Sequence, residues 1–163
     1  MWLRLVYYRI INYCEGGLIF PNRTKREERL RRIGKSTISD STCRTAMTCL
    51  VVRKGDVIAT GVNKRGFRGS SIHAERDALR KLRWQKTGAE GADLWLFRFG
   101  GHGGDADRMS KPCADCMEVI SAAGINRVFY YDWEGNLHRL KASQADPDEH
   151  YSINKWDDFV ITT

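Results

Sequence analysis

The sequence predicts a three-layer α/β/α sandwich around a central mixed sheet of about five strands. Two features point there. Runs of β-forming residues alternate with helical runs along most of the chain, and the helical runs carry apolar residues at three- and four-residue spacing, joined by short connections with Gly at the turns. The 163 residues suffice for one domain with a sizeable core and are too few for two ordinary ones, so residues 1–163 are expected to form a single domain.

The elements follow in order. In "NRTKREERLRRIGK", residues 22–35, Thr24 and Glu27 form a capping box for a first helix that Gly34 should end. "MTCLVVR" and "VIATGVN" flank "KGD", two β-rich runs joined through a Gly turn as a hairpin. After the Gly-containing loop "KRGFRGSS" comes "IHAERDALRKLRW", where Ala74, Ala78 and Leu82 recur at helical spacing and Leu79 widens the stripe. "DLWLFRFG", residues 93–100, reads as a third strand, and "GHGGDADRMS" as a flexible loop rich in Gly and Asp. "SKPCADCMEVISAAG", residues 110–124, is a helix with Met117, Ile120 and Ala123 toward the core and Gly124 at its end. "INRVFYY" is a fourth strand, "DWEGN" a turn and "LHRLKAS" a fifth strand. The chain has no repeats and no low-complexity tract.

The formal net charge of +7 is uneven. Arg23, Lys25, Arg26, Arg29, Arg31, Arg32 and Lys35 face only Glu27 and Glu28 in the first helix. Such a stretch either attracts phosphate, on a nucleotide or along a strand, or forms a solvated face of i,i+4 pairs. Arg26, Arg29 and Arg32, spaced three apart, could share one side. No run approaches the length of a membrane span, and the opening "MWLRLVYYRIINYC" is broken by Arg4, Arg9 and Asn12 and lacks a small-residue cleavage site. The expectation is a cytoplasmic protein without a membrane partner, its thiols reduced.

Five cysteines is an odd count, and reduced thiols make the Cys113–Cys116 pair a metal or catalytic feature in preference to a disulfide. Zinc takes thiolate and imidazole ligands, and a catalytic site keeps one of four positions open. Cys113 and Cys116 supply two ligands from the start of one helix, where the dipole favours deprotonated sulfur. His73, at the start of the other, is the best third ligand. Glu75 follows two residues on, and a carboxylate beside a water polarised by the metal can take its proton and return protons to a leaving amine. Cys43 and Cys49 with His102 make a second metal set, although buried thiols are the commoner fate. Cys14, His138 and His150 have no ligand setting. Trp84, Trp95 and Trp133 read as a base-stacking strip or, more often for such residues, as packing.

"HAERDALRKL" and "SKPCADCMEVISAAGINRVFYY" resemble the two zinc motifs of the cytidine and deoxycytidylate deaminase superfamily, and "STCRTAMTCLVVRKGDVIATGVN" is similar to the opening hairpin of deoxycytidylate-type members. The resemblance covers roughly residues 36–141. It implies a cytidine deaminase-like fold, a zinc ion held by His73, Cys113 and Cys116, and Glu75 shuttling protons while hydroxide attacks C4 of cytosine and ammonia leaves. It further implies that Asn63 bonds the sugar, or else acts as a turn former at a strand end, and that the backbone around Ala74 and Lys111 reads the base edge. Of Tyr130 and Tyr131, which alternate across the strand, at most one should line the pocket, the other being core, and Tyr131 is the candidate.

Two substrate classes follow: a cytosine nucleoside or nucleotide of the CMP or dCMP type, or a cytosine, less readily an adenine, in single-stranded DNA or RNA. The hairpin resemblance favours the first, while the charge and "VFYYD" before an aromatic turn suit the second. A non-catalytic zinc module is the third reading, and Glu75 speaks against it, since a structural site wants a fourth ligand and no free carboxylate. The spacer between the zinc motifs, the basic N-terminal extension and the lack of a clear extra Cys and His cluster depart from deoxycytidylate-type members. Members of this superfamily often assemble, and "WLRLVYY" suits a sheet edge or an interface in a homo-oligomer.

Overall fold

Strands that are apolar on both faces need cover on both, and that requirement organises the molecule. The computed structural model describes residues 23–100 and 106–144. Along the chain come α1 (Lys25–Thr37), β1 (Met47–Arg53), β2 (Asp56–Val62), the short pair β3 (Lys64–Arg65) and β4 (Ser71–Ile72), and α2 (Ala74–Leu82). Then follow β5 (Asp93–Arg98), α3 (Ala114–Ala122), β6 (Arg127–Tyr131) and β7 (Leu137–Lys141). The five longer strands form one sheet in the order β2-β1-β5-β6-β7, parallel only between β5 and β6 and antiparallel elsewhere.

Alternation along each strand sorts the core into two layers. Met47, Cys49, Val51, Leu94, Leu96 and Val128 pack with α2 and α3 on one face. Leu50, Val52, Trp95, Phe97, Phe129 and Tyr131 pack with Leu30 of α1 on the other. The second face is an aromatic stack, with the Trp95 ring centroid 4.2 Å from that of Phe129, the planes nearly parallel, and 6.2 Å from that of Phe97. Trp95 is therefore core, while Trp84 is exposed and Trp133 half exposed, so the three indoles form no common strip.

The first helix departs from its sequence reading in three ways. Thr24 caps it, its hydroxyl accepting from the Glu27 amide at 3.1 Å, but the Glu27 carboxylate accepts from the Tyr131 hydroxyl at 2.7 Å. Gly34 does not end the helix, which runs to Thr37. It sits where α1 crosses the sheet, and a Cβ there would lie 2.9 Å from the Phe97 ring and 3.1 Å from Thr48. The basic residues are in large part bound into the fold. Arg23 and Arg31 both pair with the buried Asp107, Arg26 reaches Asp93 and lies over Trp95, and Arg29 donates to the Gly55 carbonyl.

No helix of the described residues is long and apolar enough to cross a membrane. The apolar "WLRLVYY", Cys14, His102 and His150 lie outside the described residues.

Asp107 neutralises two guanidiniums at once, with its side chain 1% exposed. Asp107→Ala should cost about 3–5 kcal/mol of unfolding free energy, measured by urea denaturation, because it removes the buried carboxylate that two enclosed guanidiniums share.

Candidate active site

Gly61 on β2 sets the position of α2. A Cβ there would meet the Ala74 carbonyl at 2.3 Å and the Ala78 amide at 2.4 Å, so only glycine lets the helix lie this close to the strand. Asp77, buried on α2, accepts from the Val62 amide at 3.2 Å and pairs with Lys64 and Lys81, each at 3.3 Å. Burial alone would raise the Asp77 pKa, but the Val62 amide and the two lysines outweigh it and hold the carboxyl below its ordinary range. The helix start is thereby fixed at one edge of the sheet, with His73 as its N-cap residue in extended conformation.

The second helix start is tied to the same edge by Ser110. Its amide donates to the Tyr131 carbonyl and its hydroxyl to the Leu96 carbonyl, while the Tyr131 amide donates back to the hydroxyl, each at 2.9 Å. Pro112 then leads into α3, with Cys113 as N-cap residue and Cys116 in the first turn.

The two starts meet. His73 Nδ1 lies 3.2 Å from Cys116 Sγ and 3.5 Å from Cys113 Sγ, and the three donor atoms are all within 4.8 Å of one another. Tetrahedral zinc, with bonds of about 2.0–2.3 Å, places ligand atoms roughly 3.5 Å apart, so the trio fits that ion. The Cys113 thiol is drawn down in pKa by the Cys116 thiol and then by His73, and His73 is raised by its bond to Cys113. Cys116 moves the opposite way, as partner to Cys113 and by burial. Among the described residues this is the one His, Cys and carboxylate group with metal-holding geometry. Cys49 is wholly buried and Cys43 half-buried on the cleft wall.

Glu75 lies on the first turn of α2, 1% exposed, and its Oε1 has no hydrogen-bond partner. Burial raises its pKa above the ordinary carboxyl range. A buried carboxylate oxygen left unpaired is costly unless something outside the protein occupies it, and this one borders a cleft of about 500 Å³. Arg44, Thr45, Asn63, Arg65, His73, Ala74 and Glu75 are among the residues lining that cleft.

The sequence-predicted residues divide. His73, Glu75, Cys113 and Cys116 converge, and Ala74 and Asn63 reach the cleft. Asn63, however, is bound into the fold: Oδ1 accepts from the Met47 amide at 2.8 Å and the Ser41 hydroxyl at 2.6 Å, and Nδ2 donates to the Thr45 carbonyl at 2.7 Å. One Nδ2 proton is left for a ligand. Lys111 is half-buried ahead of Pro112 and does not line the cleft. Tyr131 is corrected outright, because it is buried on the opposite face of the sheet against α1. Tyr130 is on the site's face, half-buried and stacked on His138. Sequence reasoning missed Ser110, Asp77, Arg44 and Arg65. Only Asp77 carried a local signal, its i,i+4 spacing to Lys81.

The profile of the cytidine and deoxycytidylate deaminase zinc-binding region matches residues 25–132. Among solved structures the chain is similar to the dCMP deaminase of cyanophage S-TIM5 in complex with dCMP and dUMP, at 23% identity over 69% of this chain and 85% of that one, with a TM-score of 0.53. It is also similar to the cytidine deaminase of Burkholderia pseudomallei, at 16% identity over 77% and 98% of the two chains, with a TM-score of 0.58. At these identities the likeness is one of fold. No curated protein matches the chain in sequence.

Gly61→Ala should push α2 off the sheet and pull His73 out of register with the two sulfurs. The expected result is a loss of about 3 kcal/mol in stability, the upper range for an overpacked contact, together with less zinc retained per chain by elemental analysis.

Proposed function

The chain belongs to the cytidine and deoxycytidylate deaminase family, zinc-dependent hydrolases, and from that premise we propose that it removes the amino group from the cytosine base of a nucleotide, CMP or dCMP being the simplest. The observation that carries this reading is the buried, unpaired Oε1 of Glu75 beside the trio of His73, Cys113 and Cys116. In this reading those three residues hold zinc. When bound, zinc lowers the pKa of a water so that it attacks carbon near neutral pH.

The chain's own residues do the rest. Glu75 accepts a proton from the attacking water and passes it to the ring, and a second transfer through the same carboxyl lets the amino group leave as ammonia. Cytosine and water are consumed; uracil and ammonia are formed. Ala74, between ligand and base, presents backbone to the ring edge, and the free Nδ2 proton of Asn63 faces the sugar. Arg44 and Arg65 on the cleft wall have no carboxylate partner among the described residues, which favours a substrate that carries phosphate over a free nucleoside.

Glu75→Gln keeps the size of the side chain and removes the base. The variant should retain zinc and the wild-type melting temperature within a few degrees while losing turnover of dCMP by at least ~100-fold. Near-normal turnover in that variant would assign the proton transfer to another group.

A further inference from the structure

A second cleft, of about 530 Å³, lies beside the first and shares Arg44 and Thr45 with it. Its wall carries four cations, Lys35, Arg44, Arg98 and Arg108, and two aromatic rings, Phe99 and Trp133. Elsewhere the fold pairs its enclosed arginines, Arg23 and Arg31, with Asp107. Here Arg98 is half-buried, and no carboxylate among the described residues pairs with it or with the exposed Arg44 and Arg108 beside it. Burial, and then the Arg108 guanidinium, lower the pKa of Arg98, so two like charges are held together there.

Cations gathered this way raise the local concentration of anions. One phosphate of a mononucleotide seated at Glu75 is within the means of Arg44 and Arg65, which leaves Arg98 and Arg108 without a role in that complex. Phosphate-facing cations next to an exposed indole are the combination that holds single-stranded nucleic acid, backbone on the charges and base on the ring. Trp133 is 47% exposed. Because Arg44 and Thr45 belong to both walls, one ligand can pass from the first cleft into the second.

We propose that the second cleft holds a nucleotide joined to the one whose cytosine reacts, so that the preferred substrate is a short single strand. This rests on the deaminase reading and extends its substrate. The basic helix, in contrast, contributes Lys35 alone to this wall.

The test uses zinc-loaded protein and a labelled single-stranded oligonucleotide carrying one deoxyuridine, the reaction product, so that nothing is consumed. Fluorescence anisotropy should show the strand binding at least ~10-fold tighter than dUMP competes, with affinity falling steeply in salt. Combining Arg98→Gln with Arg108→Gln should weaken strand binding and reduce the salt slope by about 1.4, at roughly 0.7 for each strand phosphate that is no longer neutralised. Arg98→Gln alone should raise the melting temperature without ligand, since it removes a repulsion, and this separates a defect in binding from a defect in folding. A strand no tighter than dUMP, an unchanged salt slope in the double variant, or a free nucleoside triphosphate competing as well as the strand would each overturn the proposal. Deamination of dCMP with no gain from a strand overturns this proposal and leaves the deaminase reading standing. Strand binding that the double variant abolishes, in a protein that deaminates neither dCMP nor the strand, supports the cleft and overturns the deaminase reading instead.

Discussion

The contact between Gly61 and the backbone of α2 is the constraint on which the site depends. Without a side chain at that point β2 and α2 close to a distance no other residue allows, and the Asp77 carboxylate then locks the helix to the Val62 amide and two lysines. The start of α2 is thereby placed within 3.5 Å of thiols that arrive from a different helix about forty residues later in the chain. Ser110 performs the matching task on the other side, stitching the approach to α3 between β5 and β6. Two rigid elements, each fixed by buried polar contacts, make a more exact metal cradle than loops could.

The two faces of the sheet then divide the work. The face under α2 and α3 is aliphatic and carries the ligand trio with Glu75 at its edge. The face under α1 is aromatic and is closed by arginines laid over the rings and anchored on Asp93 and Asp107. This explains why a strongly basic helix need not be a nucleic-acid surface. Arg23, Arg26 and Arg31 are matched by Asp93 and Asp107, buried carboxylates of the sheet and its flanking segment. Arg44, Arg65, Arg98 and Arg108, which have no carboxylate partner among the described residues, line the clefts at and beside the candidate active site.

Much of this is legible in the sequence, for definite reasons. Alternation in "MTCLVVR" and "RVFYY" and the three- and four-residue spacing in α2 are local patterns, and they define the layers. The ligand trio is legible because residues that hold zinc and residues that open helices carry strong chemical and positional signals. The misreadings share a different cause. Gly34 carries the usual signal of a helix end, but its use depends on Phe97, far along the chain. Which of Tyr130 and Tyr131 faces the site depends on sheet register, and the hydroxyl of Tyr131 is claimed by Glu27, 104 residues away. The second task of Asn63, pinning residues 41–47, is likewise recognisable only once the chain is folded. Long-range contacts decide each of these cases, and no local pattern encodes them.

The central claim is that these residues perform hydrolysis on a cytosine ring. The most direct measurement incubates the zinc-loaded protein with dCMP in water enriched in heavy oxygen and analyses the products by mass spectrometry alongside an ammonia assay. The account predicts dUMP bearing one heavy oxygen at C4 and an equal amount of ammonia. A zinc-loaded, folded protein that leaves dCMP, CMP and cytosine-containing strands unchanged would contradict it.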